Sequence, residues 1–193
     1  MHVYRPRRAE VARLEKLASR RDLTMSCMGD SPRHMTVLGG RVIAEESELI
    51  PSLYRDRRLI ALLARIGGID AEPVRDPLER YVVNILHRPA THTAPTPTTT
   101  PWPWSSSPTP RPTPRTAACW STPPHTPTLD DLDTPAVRTA RHAPGDAYLL
   151  RSDTTAHRVT PLRRPGIRRS VVNLAYTTAG RQQPVTESAA LLY

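Results

Sequence analysis

The order of patterns along this chain predicts an α+β fold, in which N-terminal helices support an antiparallel barrel or sandwich of short strands. Three observations carry that reading. Helical periodicity is confined to the first part of the 193 residues. Short alternating runs separated by turn residues fill the last part. The length suits one domain with a real core. Between the two patterned parts the composition changes abruptly, which divides the chain into residues 1–88, 89–128 and 129–193.

In residues 7–21, Val11, Leu14, Leu17 and Ala18 recur at helical spacing with charges between them, predicting an amphipathic surface helix. Residues 35–44 read as two short strands or a hairpin around Gly39-Gly40. Asp56 can cap a helix from Arg57 to Ile66. Its expected buried face is Leu59, Ile60, Leu62, Leu63 and Ile66, and Gly67-Gly68 stop it. Pro51 separates it from a shorter helix near Ser47–Tyr54. Glu79–His87 reads as a strand. Tyr81, Val83 and Ile85 alternate with Arg80, Asn84 and Leu86, while Val82 makes both faces partly apolar.

From His87 to Thr128 there is no Val, Ile, Leu, Met, Asp or Glu, and Pro, Thr and Ser dominate. Such a tract lacks the apolar area to offset its ordering entropy, so a disordered interruption is expected here. Patterning resumes at Leu129. Asp130, Asp131 and Asp133 make a polar turn, and Val137–Ala143 reads as a strand. Pro144-Gly145-Asp146 turns into a strand over Ala147–Arg151. His157–Leu162 is another short strand, Arg164-Pro165-Gly166 a turn, and Arg168–Tyr176 a longer strand.

Bulk properties exclude several classes. The formal charge is +9, yet the arginines are scattered along the chain and lysine occurs once, at Lys16. That is the signature of a GC-rich gene rather than of a basic patch, which argues against nucleic acid as a partner. Cys27 and Cys119 form no disulfide or zinc pattern, which makes a reducing cytoplasm the expected location. No apolar run approaches membrane-spanning length, and the N-terminus does not read as a signal peptide.

The C-terminal part carries the most chemistry. It runs Gly145-Asp-Ala-Tyr-Leu-Leu, then His157-Arg-Val-Thr-Pro-Leu, then Gly166-Ile-Arg168-Arg-Ser-Val-Val-Asn-Leu-Ala-Tyr. This resembles the closing strands of the double-stranded β-helix, a jelly-roll or cupin-like core, in Fe(II)/2-oxoglutarate-dependent oxygenases. In that family a Gly-Asp turn starts a strand, a His-x-Val-x-Pro histidine is the last iron ligand, and a Gly-x-Arg grips the distal carboxylate of 2-oxoglutarate. The resemblance therefore implies Fe(II) and 2-oxoglutarate as cofactors, with His157 a metal ligand and Arg168 the 2-oxoglutarate anchor. Two imidazoles and a carboxylate suit such an iron site, and a planar guanidinium suits a carboxylate. Arg168 shares its strand face with Val172 and Leu174, so it is expected to point inward and Arg169 outward; a one-residue slip swaps them. Taken singly, His157 is one of seven histidines and Arg168 one of many arginines; it is their combination with the turn and the proline that carries the likeness.

Ser31-Pro-Arg-His-Met-Thr, Gly39-Gly40-Arg-Val-Ile and Glu79-Arg-Tyr-Val-Val-Asn-Ile-Leu-His-Arg-Pro are similar to the subgroup of free amino-acid hydroxylases and halogenases. In that subgroup the strand leads into His-x-Asp in hydroxylases or His-x-Gly in halogenases. Here no His-x-Asp, His-x-Glu or His-x-Gly follows residue 88. Residues from about 90 to 123 instead have the character of a frame-shifted translation. Starting each codon one base earlier converts a Thr codon into one for Asp, His, Asn or Tyr. From Pro89 the shifted reading permits Pro-Gly-Asp-x-His-Gly-x-His-x-Asp-Asp, with His and Asp at the positions of Thr96 and Thr98. Thr116-Ala-Ala-Cys-Trp-Ser-Thr permits Asp-Gly-Gly-Leu-Leu-Glu-Tyr, with Leu forced at Trp120. One base lost near Pro89 and one gained near Pro123 accounts for both ends. Thr98 cannot derive from a glycine codon in this scheme, so the ancestral site reads as the hydroxylase type.

The implied function is a dioxygenase that hydroxylates a small substrate such as a free amino acid. The chain as written is expected to be inactive, because threonine hydroxyls at Thr96 and Thr98 are poor iron(II) ligands beside imidazole and carboxylate. The alternative is a non-catalytic basic protein whose proline-rich segment, with Pro108–Arg115 as a candidate site, binds partners in extended polyproline form. Resequencing the coding DNA across codons 85–128 tests the frame reading. The expected result is re-reading of Thr96 and Thr98 as His and Asp through a missing and an extra base. Codons that cannot be re-read that way would make the Pro/Thr tract genuine.

Overall fold

A computed structural model describes residues 12–14, 16, 35–86, 103–106, 116–121, 130–143, 145–151, 154–160 and 168–182. Two antiparallel sheets organise them. The larger has the order β1 (Met35–Leu38), β3 (Tyr81–Leu86), β9 (Arg169–Thr177), β4 (Pro103–Ser106), β7 (Ala147–Leu149), and β2 (Glu72–Pro73) pairs with the end of β9. In the smaller sheet β5 (Thr116–Ser121) lies between β6 (Arg138–His142) and β8 (Ala156–Val159). Between β1 and β2 lie three helices, α1 (Gly40–Glu46), α2 (Leu49–Tyr54) and α3 (Arg57–Gly67). Among the described residues no helix is long and apolar enough to cross a membrane.

The expected α3 forms with the expected ends. The Asp56 side chain accepts a hydrogen bond from the Arg58 amide at 2.7 Å, and Gly68 closes the helix at φ 64°, a left-handed conformation that suits glycine. Only part of its predicted apolar face is covered: Leu59 and Leu63 are buried, whereas Leu62 and Ile66 are exposed. α2 carries Pro51 in its first turn, where a missing N–H costs nothing. Of the helix expected over 7–21, residues 12–14 and 16 are described and helical. Leu14 joins the core and Arg13 pairs with Glu46 at 2.8 Å.

Two expectations need correction. Residues 35–44 do not form a hairpin: Gly39 stays extended and Gly40 starts α1. The glycine at position 40 serves a close approach rather than a turn. Its N–H donates to the Leu78 carbonyl at 3.0 Å, and a Cβ there would collide with the Pro77 carbonyl oxygen. The second concerns residues 89–128, expected to be a disordered or frame-shifted interruption. Two strands, β4 and β5, lie within them. Composition bears on the side chains, but ladder pairing is a backbone property. β9 and β7 leave N–H and C=O groups that a strand between them satisfies whatever its side chains are. Pro103 is the first residue of its strand, a position where proline is tolerated. The turn at 164–166 and the polyproline candidate at 108–115 lie outside the described residues.

The strand register separates the larger sheet into two unlike faces. Residues directly opposite one another point the same way. Leu38 opposes Val83, Val83 opposes Val172, and Tyr81 opposes Leu174. This face packs on Ile43, Ile50, Tyr54, Leu59 and Leu63 of the helices in the main core. The other face turns away from the helices and carries Val37, Val82 and Leu86 as a separate small cluster. By the same register it also carries Asn84, Val171, Asn173 and Arg169, and Tyr148 through Ser105.

Tyr54 ties the helices to β9. Its hydroxyl accepts from the Val74 amide at 2.6 Å and donates to the Ala175 carbonyl at 2.7 Å, while the Tyr176 hydroxyl donates to the Tyr54 carbonyl at 2.9 Å. The Tyr54 ring lies edge-on to Tyr81, with centroids 5.3 Å apart, and 4.9 Å from Tyr176. Burial raises the pKa of both Tyr54 and Tyr176, so the hydroxyls stay protonated and able to donate. The variant Tyr54→Phe leaves a buried amide and a buried carbonyl without this partner. It is expected to cost about 1–3 kcal/mol, read as a lower urea midpoint with an unchanged m-value. An unchanged midpoint would show that the hydroxyl does not hold β9 to α2.

Candidate functional site between the sheets

The face of β9 that looks away from the helices determines which arginine enters the molecule. The structure places Arg169 inside, with 6% of its surface exposed, and Arg168 on the exposed side. This reverses the orientation expected from sequence. Arg168 does share a face with Val172 and Leu174, but that face packs on the helices, and Arg168 lies beyond its covered part. The face turned away from the helices carries the alternate set, Arg169, Val171 and Asn173. β9 is largely buried on both faces, so apolar alternation could not tell the helix side from the cavity side.

Arg169 is underused for a buried cation. Its Nη1 donates to the Thr160 carbonyl at 2.9 Å, while Nε and Nη2 are buried without a partner. Burial lowers its pKa to about 10, with the nearby Tyr148 phenol acting in the opposite sense, so the guanidinium remains charged at neutral pH. A desolvated charge with two idle donors is costly. An anion with two oxygens is the ligand whose shape and charge satisfy that fork. The residues present therefore fit the carboxylate of a 2-oxoacid.

Two histidines project from the smaller sheet. His157 on β8 lies opposite Trp120 of β5, and His142 on β6 lies opposite Thr116, so the register puts both on one face of that sheet. Burial lowers the His157 pKa, partly offset by a backbone contact at Thr155, and its Nδ1 is buried without a partner. A neutral imidazole with an unused nitrogen is the form a metal requires. Four residues of β5 separate the two histidine levels, about 13 Å along a strand, so they do not form a ligand pair. Thr160, which holds Arg169, lies three residues beyond His157 toward the His142 end. Arg169 and His157 thus enter about 10 Å apart along β8.

The iron half of the expected site is not provided by these residues. Among the described residues no group of three His, Cys, Asp or Glu side chains is placed to hold a metal ion. Thr96 and Thr98, the positions expected to supply the other two ligands, lie outside the described residues. Two residues of this region, His142 and Tyr148, carry no role in the sequence reading. Tyr148 had a signal, because the Gly145-Asp146 turn launches its strand. Gly145 takes φ 93°, and the Asp146 carboxylate accepts from the Ala143 amide at 2.7 Å. His142 had none, since only the approach of the two sheets brings its ring onto Tyr148, at 4.7 Å between centroids and 25° between planes.

The family model described as halogenase D matches residues 2–94 and 122–190, passing over 95–121. That gap falls within the stretch of anomalous composition. Several solved structures share the fold. The non-heme alpha ketoglutarate dependent epimerase SnoN from nogalamycin biosynthesis is 16% identical, with a TM-score of 0.59 over 90% of this chain and 75% of its own. AviO1 from Streptomyces viridochromogenes Tue57 is 14% identical, with a TM-score of 0.59 over 94% of this chain and 89% of its own. HygX from Streptomyces hygroscopicus, solved with nickel and 2-oxoglutarate, is 14% identical, with a TM-score of 0.50 over 87% of this chain and 79% of its own. At these identities the likeness concerns the fold. No curated protein sequence matches the chain significantly.

If the idle donors of Arg169 carry a desolvation cost, removing the charge relieves it. Arg169→Met, an apolar side chain of comparable reach, is expected to stabilise the ligand-free protein by about 1–3 kcal/mol, seen as a higher urea midpoint. A loss of similar size would mean that the guanidinium is fully compensated.

Proposed function

The chain belongs to the halogenase D family, and from that premise we propose that it derives from an Fe(II)- and 2-oxoglutarate-dependent oxygenase of the hydroxylase type acting on a small substrate such as a free amino acid. The observation that carries this reading is the buried guanidinium of Arg169, with two unpartnered nitrogens on the face that lines the space between the sheets. In this reading Arg169, in place of Arg168, holds the distal carboxylate of 2-oxoglutarate, and His157 is the last iron ligand. SnoN has been solved with Fe3+ and alpha ketoglutarate and HygX with nickel and 2-oxoglutarate, which supports the same pair of cofactors for a chain of this fold.

When bound, iron with 2-oxoglutarate supplies oxidising chemistry toward an unactivated C–H bond. The residues of this chain do the holding. Arg169 binds and orients the dicarboxylate, and the apolar Val82, Leu86 and Val37 on its face restrict water. The Thr160 carbonyl fixes the guanidinium against the end of β8. The metal does not fit the chain as written, since one imidazole and two threonines are a poor donor set for iron(II). We therefore derive no turnover for it. The hydroxylase type, rather than the halogenation in the family's name, rests on the codon argument at Thr98. The candidate site of the alternative, a proline-rich partner-binding protein, lies at 108–115, outside the described residues, and the family match favours the oxygenase reading over it.

The test compares two proteins, the chain as written and a version with residues 90–123 restored to the shifted frame. With Fe(II), 2-oxoglutarate and a panel of free amino acids, the restored protein is expected to bind one iron and release succinate, and the written chain to do neither. Succinate from the written chain, or none from a folded restored protein, would refute the proposal.

A further inference from the structure

We propose that His142 is a second binding residue for the carboxylate that Arg169 anchors, so that a small dicarboxylate is gripped from both sheets and its binding takes up a proton. The inference rests on the reading of Arg169 as the 2-oxoglutarate anchor and adds to it a partner on the opposite sheet.

Three observations converge. His142 has a buried Nε2 without a partner, as Arg169 has a buried Nε and Nη2. Its ring is stacked on Tyr148, which belongs to the larger sheet and shares by register the face that carries Arg169. Thr160, which fixes Arg169, continues β8 toward the level of His142, with β5 between that strand and β6, and the guanidinium is near enough to act on the charge of the imidazole. Buried nitrogens without partners thus lie on both sheets where the two approach each other, with the Tyr148 stack holding the imidazole in place.

The charges around His142 give the proton its role. Arg169 on β9 and Asp146 in the turn before β7 are the charged groups acting on it. Burial lowers the His142 pKa, Asp146 pulls it up, and Arg169 pushes it down. Without ligand, burial and, to a smaller extent, the guanidinium disfavour the imidazole as a cation. A carboxylate placed on Arg169 cancels that repulsion and offers the imidazolium an acceptor, so the His142 pKa is higher in the complex than in the free protein. Affinity then rises as pH falls through the complex pKa and levels off below the free pKa.

The probe is 2-oxoglutarate alone, titrated into the full metal-free chain by calorimetry at pH 5.5 and 7.5, with circular dichroism confirming the fold of each variant. Binding is expected to be about fivefold tighter at the lower pH, with proton uptake visible across buffers of different ionisation enthalpy. His142→Gln keeps a donor but cannot titrate, so it is expected to bind without the pH dependence. His142→Ala should bind more weakly at both pH values, and Arg169→Met should not bind. Binding by the unaltered chain that is independent of pH, or wild-type behaviour in His142→Gln, overturns the role of His142 while leaving the Arg169 anchor intact. Wild-type affinity in Arg169→Met, or no binding by the unaltered chain, overturns the anchor and this inference together. If neither His142 variant folds, proton uptake by the unaltered chain decides the question.

Discussion

β9 is the strand on which the molecule depends. It is hydrogen-bonded along both edges, to β3 on one side and β4 on the other, and is largely buried on both faces. One face must satisfy the helices and the other the cavity. Tyr176 and Leu174 meet the first demand and Arg169 and Asn173 the second, in strict alternation. The Tyr54 hydroxyl fixes the strand by bonding its backbone at Ala175, which leaves no freedom for β9 to shift by a residue. A shift would exchange the two faces, withdraw the guanidinium from the cavity and push Val172 and Leu174 into it.

That arrangement stores an energetic imbalance. A buried guanidinium with one of its nitrogens paired is a poor contribution to stability, and a chain under pressure only to fold would not retain it. The same unpaired fork becomes favourable once a carboxylate arrives, because the desolvation has already been met in the folded state and the ligand finds donors held in place. His142 stands in a similar position, with a buried nitrogen and no acceptor. Both features are intelligible as half of an interaction whose other half is a ligand.

The Pro/Thr tract shows how far backbone pairing can carry a segment whose composition argues against order. β4 completes the ladder between β9 and β7, and β5 completes the smaller sheet between β6 and β8. Both strands lie among the described residues of the region that the family model passes over. What the tract does not carry is the pair of ligand types that iron needs, and those depend on side-chain chemistry rather than on strand formation. Fold and metal site are separable here for that reason: the ladder asks for N–H and C=O groups, the metal for imidazole and carboxylate.

Local signals were legible where local physics decides them. Asp56 and Gly68 mark the ends of α3, the Gly145-Asp146 turn launches β7, and the Gly-Asp, histidine and arginine spacing identifies the family resemblance. His157 falls on a strand as its motif implies. The pairing of strands decided the rest. Gly40 is needed because Pro77, far along the chain, presses against it, and no pattern around Gly39-Gly40 contains that contact. Arg168 and Arg169 are adjacent and chemically identical, and the apolar face of their strand belongs to the helices, so only the assembled sheets show that Arg169 enters the cavity. Residues related by one turn or one turn motif reveal their roles in sequence. Residues that meet only when two sheets close, as His142 and Tyr148 do, leave no trace in it, because their proximity belongs to the packing and not to the chain.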